Sequence, residues 1–413
     1  MNLDFDLNAP EVHQRPFETY RRLREVDPVH WSERYQSWFL TRHSDVHAAL
    51  RHPSLTSKRL ETFRRLTPPE RSAEVAEAFR TLERWVLFQD GPDHVRKRQL
   101  FGHGFTARAL ESLLPRIETV AGDLLDALAG RPSFDAAADL AIPFPVTVIA
   151  DLFGVAVEDR PKVAHWSDDI AQFLTSVPIP AAACDRIVPT LRGFAATMSA
   201  VVESRRRQPR GDFLDELIHA EDEGGRIEPA DLLANFSLLL FAGNETTRNL
   251  IGNGIVLLLA HPEAREALRQ EPDLWRNAVD EILRVRSPVQ IISREVAQPL
   301  TLGGRDLKAG QQVFCVLGAA NHDPEVFPDP ERFDIRRNNA DDHLAFGGGA
   351  HFCLGHALAH AEGRVALQRL FEAFPGLHLD PDHPTELLGT ARLMGFTRLP
   401  VCTARSGEDV RAS

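Results

Sequence analysis

Apolar positions recur at intervals of three and four residues through most of the stretch from residue 69 to residue 374, the period of a helix with one buried face, so the chain reads as mainly α. The spacing predicts helices over 107–128, with Thr106 as N-cap, over 190–207 and over 356–374. Earlier, Val29-His30-Trp31 and Trp38-Phe39-Leu40 flank a polar turn and read as a hairpin, followed by a helix over 44–51. The period changes between 289 and 318. Apolar runs at 289–292, 300–302 and 313–316 are separated by Gly303-Gly304 and Ala309-Gly310 turns, which predicts a small sheet. Residues 376–403 mix Pro, Gly and short apolar runs and read as further strands that join it. The polar tail at 405–413 reads as frayed.

Residues 231–260 form one uninterrupted helical pattern, about 45 Å long at 1.5 Å per residue, that stops before His261-Pro262. Its middle, residues 238–242, is apolar on every side and belongs in a core. Gly243-Asn244-Glu245-Thr246-Thr247 then breaks the apolar run. Glycine costs a helix about 1 kcal/mol relative to alanine, and a carboxylate in a core costs more unless partnered. An isolated mid-helix Glu normally faces water, but the apolar flanks argue against that here.

Composition narrows the class. At 413 residues with no linker-like stretch, the chain reads as one large domain over 1–413, and 43% hydrophobic with 26% charged residues is globular. The first residues lack a signal peptide, and no stretch approaches the ~20 apolar residues of a membrane span, so the expected location is cytoplasmic with no membrane contact. Four scattered cysteines fit a reducing compartment. A net charge of −12 argues against a nucleic-acid partner.

The sharpest chemical signal is Phe346-Gly347-Gly348-Gly349-Ala350-His351-Phe352-Cys353-Leu354-Gly355, a glycine-rich loop opening a helix. Backbone amides and the helix dipole favour a thiolate there, so Cys353 is expected to stay ionised. Three glycines allow close approach of a bulky planar group. Two other readings compete: a buried cysteine in a turn, and a zinc site from Cys353, His356, His360 and His351. The zinc set lacks a second cysteine, an H-E-x-x-H motif and a carboxylate. C-x-x-C-H is absent, which excludes a covalent c-type haem.

The pattern F-x-x-G-x-H-x-C-x-G resembles the haem-binding signature of the cytochrome P-450 superfamily. The resemblance implies a mainly α fold with a minor β region, in which haem b (iron protoporphyrin IX) lies between the long helix and the cysteine loop. Cys353 would ligate iron, Phe346 would pack beside the sulfur, His351 would bond a propionate, and Gly355 would be a further cofactor-binding position. Thiolate donation favours O–O cleavage. Ala242, Gly243, Glu245 and Thr246 match the family's A-G-x-[DE]-T element. There Gly243 would leave room for O2, Thr246 would hydrogen-bond the activated oxygen, and Glu245 would relay protons.

Other matches support the same family. Glu281 and Arg284 match E-x-x-R, with Arg332 expected to complete a buried ion network that is structural and not catalytic. His94 and Arg98, four apart after the Gly91-Pro92 helix start, match propionate donors, and Arg294 matches a third. Arg96 and Lys97 would offer a basic patch to an acidic ferredoxin. His322 and His360 stand where the family often has Arg. The implied activity is an O2-dependent monooxygenase, supplied by a ferredoxin and its ferredoxin reductase, that hydroxylates or epoxidises a lipophilic small molecule: a terpenoid, steroid, fatty acid or polyketide. Pocket walls are expected from 85–88, 166–178, 238–242, 289–292 and 394–396, mostly apolar. A peroxide-using or isomerising relative and a haem-based sensor are the alternatives, and the Glu245-Thr246 pair argues against both.

Overall fold

The expected long helix runs from Pro229 to Ala260, with proline in its first turn where a missing N–H is harmless. A computed structural model describes residues 6–7, 9–176, 179–222 and 225–403; the expected frayed tail lies outside them. Phe236, Leu240, Ile251, Ile255 and Leu258 bury this helix against Pro143–Leu152, Arg160–Thr175 and His356–Ala373. Its approach to the helix that follows Cys353 is close. A Cβ on Gly254 would stand 2.5 Å from Leu367 Cδ1, and one on Gly363 would stand 2.7 Å from Leu250 Cδ2.

Thr106 caps Ala107–Asp126, its hydroxyl accepting from the Ala109 N–H at 3.2 Å. The helix expected from 190 instead starts at Ala181 and passes through Pro189. Ile187, Leu191, Phe194 and Met198 keep one buried face continuous across the proline, and that burial outweighs the one lost hydrogen bond. No helix among the described residues is long and apolar enough to cross a membrane.

The β regions differ from the expected single small sheet. The main sheet has five strands in the spatial order Val29–Ser32, Ser37–Leu40, Gln312–Val316, Ile291–Val296, Leu55–Thr56. The early hairpin enters through a parallel pairing of Val313 with Trp38 and Cys315 with Leu40, a contact between distant segments that no local pattern announces. The strand expected over 289–292 is displaced to Ile291–Val296, since pairing with Gln312–Val316 recruits Arg294 and Glu295. Leu300–Leu302 pairs only with Arg305–Leu307 in its own hairpin. The C-terminal strands also stay apart. His378–Leu379 and Pro400–Cys402 join Ser133–Asp135, while Glu386–Leu387 pairs with Phe396–Arg398.

A buried ion network ties these parts to the cysteine loop. Glu281 and Arg284, both 0% exposed, are joined by two hydrogen bonds of 2.7 and 2.8 Å. Arg284 also donates to the carbonyls of Asn321, Pro330 and Arg332 at 2.8–3.0 Å. The third member is Arg337 and not Arg332. The Arg332 side chain is 69% exposed and reaches only Asp334, at 3.6 Å, so it contributes a carbonyl alone. Arg337, 8% exposed, meets Glu281 at 3.2 Å and donates to three carbonyls of the 328–332 turn. Asn321 carries the connection onward, accepting from the Leu344 N–H at 2.7 Å.

Removing one partner from a buried ion network leaves an uncompensated charge. Arg337→Ala is therefore expected to cost about 3 kcal/mol or more in urea unfolding, whereas Arg332→Ala changes stability by no more than about 0.5 kcal/mol. Equal effects would contradict this assignment.

Candidate functional site

The cysteine loop is folded by local bonds. Cys353 N–H donates to the Phe346 carbonyl at 2.9 Å, and the Gly347 and Gly349 backbones have φ of +72° and +64°. Protein atoms stand close to two of the three glycines. A Cβ on Gly349 would lie 2.6 Å from the Leu50 carbonyl oxygen, and one on Gly348 would lie 2.7 Å from the Arg51 guanidinium. Burial pushes the Cys353 thiol up to about 11, and the Gly355 N–H and Arg98 only partly oppose this. A metal cation on the sulfur would oppose that shift and favour the thiolate.

The zinc set does not assemble. His356 faces the Cys353 carbonyl at 3.1 Å, His360 faces the Arg276 carbonyl at 3.1 Å, and His351 bonds Asp90. Among the described residues no group of three or more His, Cys, Asp or Glu side chains is placed to hold a metal ion.

The central helix is buried over most of its length, yet Ala242 is exposed and Leu239, Gly243 and Thr246 are half-buried. These positions share one face at helical spacing, so that face borders an internal space, which close-packed interiors otherwise avoid. Phe346, Cys353 and Leu354 from the loop and Val289 and Ile292 near the main sheet are half-buried as well. The Thr246 hydroxyl donates to the Ala242 carbonyl at 2.7 Å.

Glu245 turns to a neighbouring face and is buried against Arg248 at 2.6 Å. Arg248 in turn meets the exposed Asp168 at 2.9 Å. Burial raises the Glu245 carboxyl above the usual carboxylate range, while Arg248 and Asn249 pull it back.

Positive charge gathers beside the loop. His94, on Pro92–Gly102, is buried and stacks on His351 with ring centres 4.2 Å apart, and its Nε2 has no hydrogen-bond partner. Burial, then the neighbouring His351 and Arg98, push His94 down to about 4, so it is neutral at pH 7. Arg98, on the same helix, donates to the Phe352 carbonyl. Arg294 is buried and its guanidinium donates to the adjacent Ser293 carbonyl at 3.0 Å.

Arg59 was not singled out from the sequence, where it sits in an unremarked polar stretch. It is buried, lies 4.9 Å over the Phe88 ring, and has an unpartnered Nε. Burial and the nearby Arg294 and Arg392 push it down to about 9. The one carboxylate in the cluster, Asp90, already accepts from Thr56 at 2.5 Å, the Ser57 N–H at 2.8 Å and His351 at 3.0 Å. Burial works to raise that carboxyl, but these bonds outweigh it and hold it below the usual range. The cluster is short of negative charge, so a large ligand with two carboxylates beside a soft sulfur donor fits the donor set.

Arg96 and Lys97, on the same helix as His94, each have a partner. Lys97 bonds Asp231 at 2.8 Å and Arg96 donates to the Gly225 carbonyl at 2.7 Å, both answering groups on the central-helix side. A large cavity of about 1000 Å³ is bordered by Glu245 and Arg248 of the central helix. The 166–178 segment lines it through Ala171, Gln172, Thr175 and Ser176, but the C-terminal wall comes from 388–393, with Met394 and Phe396 buried beneath. Polar side chains such as Arg65, Asp168, Arg186 and Arg392 share the lining with Leu66, Phe314 and Leu393.

The cytochrome P450 family profile matches residues 35–395. The chain belongs to the cytochrome P450 family. It is 37% identical to cytochrome P450 monooxygenase PikC of Streptomyces venezuelae over 415 residues, covering 98% of this chain and 95% of that protein. It is 37% identical to vitamin D(3) 25-hydroxylase of Pseudonocardia autotrophica over 401 residues, covering 96% of each. The crystal structure of P450BioI in complex with a hexadec-9Z-enoic acid-ligated acyl carrier protein superposes with a TM-score of 0.87 at 31% identity, over 95% of this chain and 99% of that one. As a cytochrome P450, the chain is a haem-thiolate oxidoreductase with monooxygenase activity.

Unpaired buried cations destabilise a protein until an anion meets them. Arg294→Met is therefore expected to raise the thermal midpoint of haem-free protein and to accelerate haem transfer to apomyoglobin roughly tenfold or more. A variant that loses stability in the haem-free form and retains haem normally would contradict the reading of the cluster.

Proposed function

We propose that this cytochrome P450 acts as one domain in the cytoplasm, holds haem b with Cys353 as the iron ligand, and oxidises a lipophilic small molecule with electrons from a ferredoxin and its reductase. The observation that carries the reading is the buried cluster of Arg59, Arg294 and His94 beside the Cys353 loop, with Asp90 its one carboxylate and fully engaged. His94, Arg98, Arg294 and His351 hold the haem carboxylates, joined by Arg59, while Phe346 and Gly355 shape the loop around sulfur. Bound haem supplies the redox chemistry, in which two electrons and two protons reduce O2, one oxygen atom enters substrate, and the other leaves as water.

The chain's own residues manage the protons. Thr246 swings its hydroxyl between the Ala242 carbonyl and the internal space, where Gly243 and Ala242 leave room. Glu245 is a proton carrier because burial raises its pKa, and Arg248 links it to Asp168, which is exposed beside the large cavity. Such a relay serves O2 reduction and is superfluous for peroxide use or for reversible gas binding. The lipophilic substrate class rests on Leu66, Ala171, Phe314 and Leu393 in the cavity and on the vitamin D and fatty-acyl chemistry named for similar proteins. A steroid, fatty acid, polyketide or terpenoid fits that description.

The test is reconstitution with NADPH, ferredoxin reductase and ferredoxin, using a lipophilic panel preselected by spin-state shift. Thr246→Ala should lower product per NADPH about tenfold, and Glu245→Gln should slow product formation about 100-fold. Peroxide-driven turnover that neither substitution affects would overturn the O2 reading.

The electrostatics also predict a pH effect. Arg248 lowers the Glu245 pKa, so Arg248→Met raises it further and moves the limb of the pH–turnover profile that belongs to Glu245 to higher pH. A shift to lower pH, or none, would contradict the placement of Glu245 in proton delivery.

A further inference from the structure

The charges on the wall of the large cavity do not balance. Asp168 and Glu245 are both met by Arg248, at 2.9 and 2.6 Å, and Asp169 is met by Arg186 at 2.6 Å. Arg392 and Arg65 stand on the same wall with no carboxylate or hydrogen-bond partner for their side chains among the described residues. Arg392 is half-buried and its guanidinium lies 5.9 Å from the Phe63 ring centre. Burial alone pushes it down to about 10, with no acid restoring it. Its backbone is pinned, since its carbonyl accepts from the Gln290 N–H at 2.9 Å and its neighbour Leu393 bridges to Val289. The cation is thus held on a rigid edge, next to the apolar surface of Leu66, Phe314 and Leu393.

We infer that the cavity selects amphipathic ligands with an anionic head, a carboxylate or a phosphate, that pairs with Arg392 and is assisted by Arg65 at the rim, while an apolar tail lies along the cavity. This narrows the proposed substrate class and rests on the monooxygenase reading for its consequence in catalysis, but not for the binding itself. A guanidinium presents two parallel N–H donors to either head group, so a neutral ester of the same tail forfeits the paired bonds. Lysine in its place offers a point charge and keeps only part of the preference.

Haem-loaded parent, Arg392→Met, Arg392→Lys and Arg65→Met proteins are compared by equilibrium dialysis with dodecanoate, dodecyl phosphate and methyl dodecanoate. The parent should bind at least one of the two anions roughly tenfold more tightly than the ester, and whichever anion leads names the head group. Arg392→Met should abolish the preference, Arg392→Lys should retain part, Arg65→Met should weaken it less than Arg392→Met, and haem content should match the parent in all three. Equal binding of acids and ester by the parent, or a preference that survives Arg392→Met, overturns the inference. Loss of haem in Arg392→Met also overturns it, because Arg392 would then be serving the haem carboxylates. Dialysis counts bound ligand whatever the iron does, so anion-selective binding without oxidation would refute the proposed catalysis and leave this inference standing.

Discussion

A guanidinium removed from water must meet an anion or destabilise the protein that buries it. Around Arg59, Arg294 and His94 the described residues supply only Asp90, whose oxygens are already engaged by Thr56, Ser57 and His351. That imbalance explains the neighbouring features. A helix that is buried over most of its length leaves Ala242 exposed in its middle, and burial pushes the Cys353 thiol up to about 11 despite the nearby Arg98. Each is a cost in the protein alone and would become a contact in the proposed arrangement, with haem between the helix and the loop.

Holding those two elements at a fixed separation requires stiffness elsewhere. Gly254 and Gly363 let the central helix and the helix after Cys353 pack with backbones close, and a methyl group at either would collide with a leucine. Glu281, Arg284 and Arg337 clamp the 321–344 segment that leads into the cysteine loop. A fully buried ion network is a weak way to gain net stability. Its bidentate geometry and carbonyl contacts instead fix one arrangement of the backbone, and the loop inherits that arrangement.

Much of this was legible from local pattern. Helical period and capping located the central helix, the Thr106 cap and the helix after Cys353 within a few residues, and the cysteine and acid–alcohol motifs supplied the residues on which the proposed site rests. What escaped depends on contacts between distant segments. Parallel pairing of Ser37–Leu40 with Gln312–Val316 built a larger sheet than either segment suggested. The network chose Arg337 over Arg332 because Arg337 reaches back to the carbonyls of the 328–332 turn and to Glu281, while the Arg332 side chain points to solvent. Arg59 carries no motif, and only its burial beside Arg294 reveals it.

The most direct test of the central claim is the absorption spectrum of the dithionite-reduced protein under carbon monoxide, recorded for the parent and for Cys353→Ser. The account predicts a strongly red-shifted Soret band, the mark of thiolate ligation, in the parent and its loss in the variant. The same red-shifted band in both proteins, or no haem absorption in the parent, would contradict it.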